Sequence, residues 1–479
     1  VLGPNPRMGL EFATQVAKKR AADLGDNRLM IRAERAGKKA RAIYAHTSGA
    51  ANIPEHEKWA RFLGGTRAVL SSAPLGSAVL SSVTAVATIT VAADTIGMSW
   101  RNTLSRAVKL MASQLDRADA ARAGDSADKL ADAGGGSARF MGKMFGSGLP
   151  ERLAGFTLRA SGLAFVTDMR KAAFQMEFSG YLAAQATRSF DQIDQSLRNI
   201  FQARGITPAD WDALRAVEGR FTATNGGDFI TPFWWLEHQT AMPRAEALQL
   251  ATKLQMALRE QLELAIPSAS VEGRAMLQGT ASPGTIPGEL LRSSTSYKTF
   301  PMSLTLGQYR RFMAIPTPMG KAKYAAKLSA LLLVTGALAI QLKELAKGND
   351  PRPMNTGKFW MAATFQSGGL GLFGDFFSAE TSRTGGGMAE ALAGPVVGLA
   401  SDIVKPVAAN LFAAVNGKDT AFGRDAANFI RGNTPVLSSL WYQRAAFSRL
   451  VADEIASFLD PEAEANARRR AATQRRDYG

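Results

Sequence analysis

The sequence contains no cysteine and only three histidines among 479 residues. The missing thiols exclude disulfides, thiolate catalysis, iron–sulfur clusters and cysteine-ligated zinc. Three scattered histidines also argue against a metal site built from several histidines. No Walker A loop, H-E-x-x-H or G-x-S-x-G motif is present. The sequence therefore predicts no catalytic residue, no metal site and no cofactor, and we expect a protein that is not an enzyme.

Acidic residues are fewer than basic ones, 41 against 57, which gives a net charge of +16. The basic residues cluster near both ends of the chain. Polyanion contacts are predicted at Lys18, Lys19, Arg20, Lys38, Lys39, Arg468, Arg469, Arg470, Arg475 and Arg476. Such clusters are either solvated helix faces or a sequence-independent binding surface for DNA phosphates or anionic lipid.

Apolar periodicity and turn signals predict helices along most of the chain. We expect an early basic helix from about Gly9 to Tyr44 and a long helical region over Leu149–Arg204. Shorter helices are predicted over Pro208–Val217, capped by Thr207, and over Arg244–Leu264. Residues 267–301 are rich in Ser, Thr, Gly and Pro, which predicts an irregular surface connection anchored by its few apolar residues.

These patterns predict a mostly α fold class. The chain is expected to form an elongated multi-helix array with candidate membrane-associated helices and without a Rossmann or TIM unit. In chain order the predicted segments are a basic helical N-terminal segment (1–66), an uncharged membrane-active or buried segment (67–98), a helical domain (99–266), an irregular Ser/Gly/Pro-rich connection (267–303), an apolar Gly/Ala-rich helical domain (304–460) and a basic tail (461–479).

The longest uncharged run is Ala68–Ala93, with 26 residues between Arg67 and Asp94. As a helix it would extend about 39 Å, enough to cross a bilayer core of about 30 Å. Helical spacing places hydroxylated residues on one side and valines on the opposite side. The residues predicted to face a membrane or a pore are Ser77, Ser81, Thr84, Thr88, Val79, Val83 and Val86.

Two other interpretations of this run remain open at this point. Val83–Val91 is rich in β-branched residues and partly alternates, which is typical of a strand. The run is also compatible with a buried helix whose hydroxyls bond to the preceding turn. A second apolar stretch, Leu328–Leu342, has only 15 uncharged residues, so it is either a core helix or an interfacial one unless its flanking lysines snorkel.

The glycine pattern Gly369–Gly374 matches G-x-G-x-x-G. A dinucleotide site would need a strand before this pattern and a helix after it. The preceding residues, Phe359–Ser367, have a helical pattern instead. A sharp turn or close helix packing is therefore favoured over a nucleotide site.

Three blocks of sequence carry a family resemblance. They are Gly205–Trp211 (GITPADW), Ala265–Leu304, which contains ASPGTIPGELL, and Gly348–Phe377, which begins GNDPRPMNTGKFW. Together they resemble the C-terminal region of the large internal virion proteins of tailed bacteriophages, the ejection proteins delivered ahead of the genome. The resemblance spans roughly residues 205–377, a little over a third of the chain.

The resemblance implies a structural protein held in the virion interior before infection and located in the host cell envelope (periplasm or inner membrane) after ejection. There it would form part of an oligomeric conduit for genome delivery. The implied partners are further copies of the chain, other virion or ejection proteins, phage DNA bound without sequence preference, and host membrane or anionic lipid. The alternatives are a soluble virion core or scaffold protein and a nucleic-acid-binding fragment of a larger phage enzyme.

Overall fold

The structure, a computed structural model, describes residues 5–65, 82–112, 163–224, 226–240, 242–295, 298–346 and 350–367. Helices account for 76% of these residues and strands for 1%. The predicted mostly α fold, without a Rossmann or TIM-like sheet in the described residues, is therefore confirmed.

The described residues form fifteen α-helices and one short hairpin of strands. The helices are α1 (Pro6–Asp23), α2 (Asn27–Thr47), α3 (57–65), α4 (Ala85–Ile96), α5 (Trp100–Ala112), α6 (Leu163–Gln185), α7 (Gln195–Ala203), α8 (Pro208–Leu214), α9 (Pro232–His238), α10 (Arg244–Ala265), α11 (Val271–Gln278), α12 (Ile286–Ser294), α13 (Thr299–Ala314), α14 (Pro318–Ala346) and α15 (Gly357–Gln366). The strands β1 (Phe221–Thr222) and β2 (Asp228–Phe229) pair antiparallel.

The main hydrophobic core lies where α4, α6, α7, α8, α9 and α10 meet. Its largest fully buried side chains are aromatic: Phe174, Phe178, Phe201, Trp211 and Trp235. The Trp211 indole N–H donates to the carbonyl oxygen of Arg188 at 3.0 Å, and that of Trp235 donates to Ala213 at 3.1 Å. Both buried indoles thus keep a hydrogen-bond partner, which buried tryptophan requires.

The single early helix predicted over Gly9–Tyr44 is wrong, because the chain turns at Leu24–Asp26. Gly25 has φ +65°, and the Asp26 carboxylate caps α2 by accepting from the amide of Arg28 at 2.7 Å. Contacts between residues 14 and 37 and between residues 18 and 34 show that α1 and α2 run antiparallel. The N-terminal segment is therefore a helical hairpin.

The helical region predicted over Leu149–Arg204 consists, in its described part, of the two helices α6 and α7 with a bend between them. The Asp194 carboxylate lies at this bend and accepts from the Tyr181 hydroxyl at 2.7 Å and from the Gln185 amide at 2.9 Å. Residues 149–162 lie outside the described residues. The predicted helix at 208–217 ends earlier, at Leu214, and its cap at Thr207 is confirmed as a capping box with Asp210.

The connection predicted to be irregular over 267–301 contains α11 and α12 and the start of α13. The side-chain hydroxyls of Ser270 and Thr285 cap α11 and α12. Each accepts a hydrogen bond from the backbone amide three residues further along the chain. The expected apolar anchors are also wrong, since Ile286 is 88% exposed and Leu290 is 55% exposed. The residues buried there are instead small or polar, such as Gly288, Glu289 and Ser293.

The N-terminal hairpin contacts this segment mainly through polar groups. Lys39 pairs with Glu272 at 2.7 Å, and His46 Nε2 lies 3.0 Å from the carbonyl oxygen of Gly279. The guanidinium of Arg292 donates to the carbonyl oxygen of Ala51 at 2.6 Å. Ion pairs and hydrogen bonds therefore hold the C-terminal half of α2 and the residues that follow it against α11 and α12.

The His46 contact predicts a pH-dependent stability. Burial lowers the pKa of His46; its bond to Gly279 opposes this, and the charges of Arg274 and Arg292 lower the pKa further. The unfolded state, with a pKa of about 6.5, then binds the proton first as the pH falls. We expect the free energy of unfolding to decrease from about pH 7.5 to about pH 5.5, and to decrease less in His46→Gln.

Urea unfolding at the two pH values measures this difference. His56→Gln is the matched control, because His56 is exposed. Carboxylates that titrate in the same interval contribute equally to all three proteins, so their effect cancels in the comparison. An identical pH dependence in His46→Gln and in the unsubstituted protein would contradict the prediction.

Candidate membrane and polyanion contact surfaces

The described part of the uncharged run is a core element. Residues 82–84 form a 3₁₀ turn and α4 follows, so the strand interpretation of Val83–Val91 is wrong over residues 85–91. Helix α4 packs against α5, α10 and α14, and nearly all of its residues from Ala87 to Ala93 are buried. The Thr88 hydroxyl donates to the carbonyl oxygen of Ala265 in α10 at 2.6 Å. Thr88 therefore faces protein, neither lipid nor a pore.

The remaining residues predicted to face a membrane or a pore divide into two groups. Val83, Thr84 and Val86 are half-buried at the start of α4, where this part of the chain also packs against α14. Ser77, Val79 and Ser81 lie outside the described residues. In the described part of the run, the buried-helix interpretation matches the structure.

Helix α14 is the described helix that is long and apolar enough to cross a membrane, judged by length and composition alone. Its 29 residues extend about 44 Å. The uncharged stretch Leu328–Leu342 underestimates the length of this helix, because Lys321, Lys323 and Lys327 belong to the same helix. Only 33% of its most apolar stretch of 18 residues is buried. Core helices of soluble proteins can have the same length and composition.

One face of α14 packs against protein. Leu332, Ala339 and Ile340 are buried there, and Gly336 lies against α15. A Cβ atom on Gly336 would come within 2.1 Å of the carbonyl oxygen of Ala363. The two helices therefore approach to backbone contact, which only a glycine at this position permits.

A further set of α14 side chains is apolar, mostly small and open to solvent. We call its exposed members the α14 stripe: Met319, Ala322, Ala326, Ala330, Val334, Leu338 and Leu345. Their spacing of three, four or seven residues keeps them on one side of the helix. Val334 is 61% exposed and Leu338 is 47% exposed. Exposed apolar side chains gathered along one helix are typical of an interaction site, and the exposed Lys323 and Lys327 lie among them.

Charged residues lie toward the two ends of α14. Near the start, Lys327 forms an ion pair with Asp94 of α4. Near the end, the Lys343 ammonium donates to the Gln366 side chain at 2.9 Å, and the buried Glu344 pairs with Arg352 at 2.8 Å. An uncharged middle between charged ends is typical of a helix that contacts a lipid interface.

The predicted polyanion contacts of the N-terminal hairpin differ in their environment. Lys39 pairs with Glu272 at 2.7 Å, so it contributes to hairpin docking, and its predicted polyanion contact stays a prediction. Lys38 pairs with Glu34 at 3.1 Å and Lys18 lies 3.9 Å from the same carboxylate. Their hydrogen bond and charges hold the pKa of Glu34 below its usual value.

Lys19 and Arg20 are exposed at the end of α1, as a polyanion contact requires. The tail residues Arg468, Arg469, Arg470, Arg475 and Arg476 and the glycine pattern at 369–374 lie outside the described residues.

Sequence reasoning missed an exposed apolar cluster at the turn of the hairpin. Leu24, Leu29, Met30 and Ile31 are all exposed. The signal was present in the sequence, because Leu24-Gly25-Asp26 is a turn pattern and three large apolar residues follow it within one helical turn. Both features were overlooked because one continuous helix was predicted over Gly9–Tyr44.

No family model matches this chain, and no curated protein and no solved structure is significantly similar to it. Within the described ranges, no group of three His, Asp or Glu side chains is placed to hold a metal ion. The function of the protein is therefore inferred from the surfaces described above and from the resemblance of the three sequence blocks.

Close packing at Gly336 generates a second prediction. In Gly336→Ala, the added Cβ should push α15 away from α14, because the atom it meets is backbone and cannot rotate aside. We expect amide exchange in residues 357–366 to become at least about tenfold faster, a loss of about 1.4 kcal/mol of local stability. Gly357→Ala is the control, since a Cβ there meets nothing within 4 Å. Equal exchange in the two variants would contradict the prediction.

Proposed function

We propose that this protein is a structural, non-enzymatic component of a phage virion that acts after ejection as a subunit of an oligomeric conduit for genome delivery across the host cell envelope. In this proposal it is stored in the virion interior, associates with other copies and other ejection proteins, and contacts host membrane through α14. The observation that carries the proposal is the exposed apolar α14 stripe along a helix long enough to cross a bilayer.

The energetics of the stripe support membrane contact. Transfer of a Val, Leu or Met side chain from water to an apolar environment contributes about 1.5–3 kcal/mol. The stripe offers four such side chains, Met319, Val334, Leu338 and Leu345, each of them at least 47% exposed. Lipid or another copy of α14 would cover this surface, whereas water leaves it unfavourably hydrated.

The small residues of the stripe support association between copies. Ala322, Ala326 and Ala330 follow one another at four-residue intervals on the exposed face. In lipid, small side chains let helix backbones approach closely, and this close packing drives helix association. Several copies of α14 could therefore pack side by side around a passage.

The charge and the chain connectivity suit the rest of the proposed role. A net charge of +16 favours storage beside DNA. The absence of cysteine leaves no crosslink that would prevent passage through a narrow tail.

The second candidate is a soluble virion core or scaffold protein that never contacts lipid. The burial of α4 favours it, because the apolar residues of this helix are covered by protein within one chain. In that case the α14 stripe would be covered by neighbouring copies in a detergent-free assembly.

The stripe provides the test of the proposed function. In Val334→Glu with Leu338→Glu, two carboxylates are placed at the exposed middle of α14. Insertion of a charged residue at the centre of a bilayer costs about 2.5–3.5 kcal/mol. We therefore expect the unsubstituted protein to float with neutral phosphatidylcholine liposomes and the double variant to lose this flotation.

Tyr309→Glu with Met313→Glu is the matched control, because these residues are also exposed and four positions apart but lie on α13. It should float like the unsubstituted protein. Flotation that is lost equally in both double variants would contradict membrane contact through α14. The soluble scaffold would be supported instead by two results together. The unsubstituted protein would form an assembly of several copies that does not float, and the stripe double variant would no longer form this assembly.

A further inference from the structure

The turn of the N-terminal hairpin combines exposed apolar and basic side chains. We define the hairpin tip as residues 24–31, with its exposed apolar members Leu24, Leu29, Met30 and Ile31. Leu24 is 73% exposed and Ile31 is 50% exposed. Four large apolar side chains within eight residues, exposed to water in the described structure, indicate an interaction surface.

The hairpin geometry places this tip away from the rest of the described chain. The contacts of α2 with α11 and its neighbouring turn involve Lys39 and His46. Ile31 precedes these residues by eight and fifteen positions, or about 12 Å and about 22 Å along a helix. Helix α1 packs mainly against α2. The tip is thus the end of the hairpin that is opposite to its docking contacts.

Basic residues flank the tip on both helices. Lys19 and Arg20 lie near the end of α1, and Arg28 and Arg32 lie near the start of α2. All four are exposed, and none of them makes an ion pair within the described part of the chain. The hairpin as a whole, residues 5–47, carries ten basic and four acidic residues.

The acidic residues at the tip do not cancel this charge. Of the two, Asp26 is engaged as the cap of α2, where one carboxylate oxygen accepts from the amides of Arg28 and Leu29 at 2.7 Å and 3.1 Å. Asp23 is exposed at the end of α1. Four basic side chains therefore surround an apolar surface against two acidic ones.

We propose that the hairpin tip binds an anionic membrane surface, with its apolar side chains between the lipid headgroups and Lys19, Arg20, Arg28 and Arg32 against the lipid phosphates. Charge and apolar surface are then satisfied by the same partner. A nucleic acid would pair with the basic residues but leave the four apolar side chains in water. The tip also has no aromatic residue on which a base could stack.

The hairpin tip is separate from the α14 stripe, and its binding to a membrane surface does not require α14 to enter a bilayer. The tip would select the anionic lipid, whereas insertion of α14 depends on apolar contact. The tip is therefore expected to cause any preference for anionic over neutral vesicles. The stripe is expected to cause binding that is independent of headgroup charge.

The test is partition of the full chain between buffer and vesicles of phosphatidylcholine, with and without phosphatidylglycerol. In Leu24→Ser with Ile31→Ser, we expect partition onto the anionic vesicles to weaken at least about tenfold. In Arg28→Gln with Arg32→Gln, each lost charge should weaken it about fivefold, and binding to neutral vesicles should not change.

Met8→Ser with Phe12→Ser is the matched control. Both residues are exposed on α1, and Phe12 lies twelve positions before Leu24, or about 18 Å along the helix. This variant should bind like the unsubstituted protein. The α14 double variant Val334→Glu with Leu338→Glu should retain its preference for anionic vesicles, which separates failure of the tip from failure of the proposed function.

Two results would overturn the proposal. One is equal loss of anionic-vesicle binding in the tip variant and in the Met8 and Phe12 control. The other is that the variant Arg28→Gln with Arg32→Gln binds duplex DNA more weakly but partitions onto vesicles like the unsubstituted protein. The tip would then be a nucleic-acid surface. Unchanged thermal unfolding midpoints, expected for exposed positions, exclude misfolding as the cause of any loss.

Discussion

Helix α4 has a single charged residue, Asp94. The helix is buried against α5, α10 and α14. This burial determines which apolar helix is left exposed. The side of α14 that meets α4 is covered, and Lys327 of α14 neutralises Asp94 at their contact. The members of the α14 stripe remain exposed in the described structure. The candidate membrane surface is thus a consequence of how α4 is packed.

The hydroxyl groups of the uncharged run are explained by the same packing. A buried hydroxyl without a partner is costly, and Thr88 avoids that cost by donating to the carbonyl oxygen of Ala265, the last residue of α10. A carbonyl at a helix end has no partner within its own helix. The bond therefore satisfies two groups together and fixes the end of α10 against α4.

Sequence patterns predicted the regular helices well and their breaks poorly. Helix α10 ends within one residue of its prediction, and the cap at Thr207 was recognised from the threonine and the proline that follows it. The break at Gly25 was missed, since uniform basic charge on both sides concealed the turn. The helices at 271–278 and 286–294 were missed because serine, glycine and proline were taken as loop residues, whereas here Ser270 and Thr285 are helix caps.

The candidate surfaces were harder to predict for a physical reason. An uncharged run shows that a segment avoids water, but lipid and protein core impose the same requirement on its side chains. Only packing distinguishes them, and it places Thr88 in the core and Val334 in solvent. The basic clusters pose the same difficulty, since Lys39 and Arg20 look equivalent in sequence but only Lys39 has a carboxylate partner from another element of the described structure.

The hairpin and the core also differ in what holds them. The hairpin docks through the Lys39–Glu272 ion pair and single hydrogen bonds at His46 and Ala51, whereas the core contains buried aromatic side chains such as Phe174 and Trp235. Exposed ion pairs contribute about 0–1 kcal/mol each, and a buried aromatic side chain contributes several times as much. The hairpin should therefore open before the core does. Under the proposed function, the segment that carries the basic tip would be the first to become free to reach a membrane surface, while the helices that position α14 remain folded.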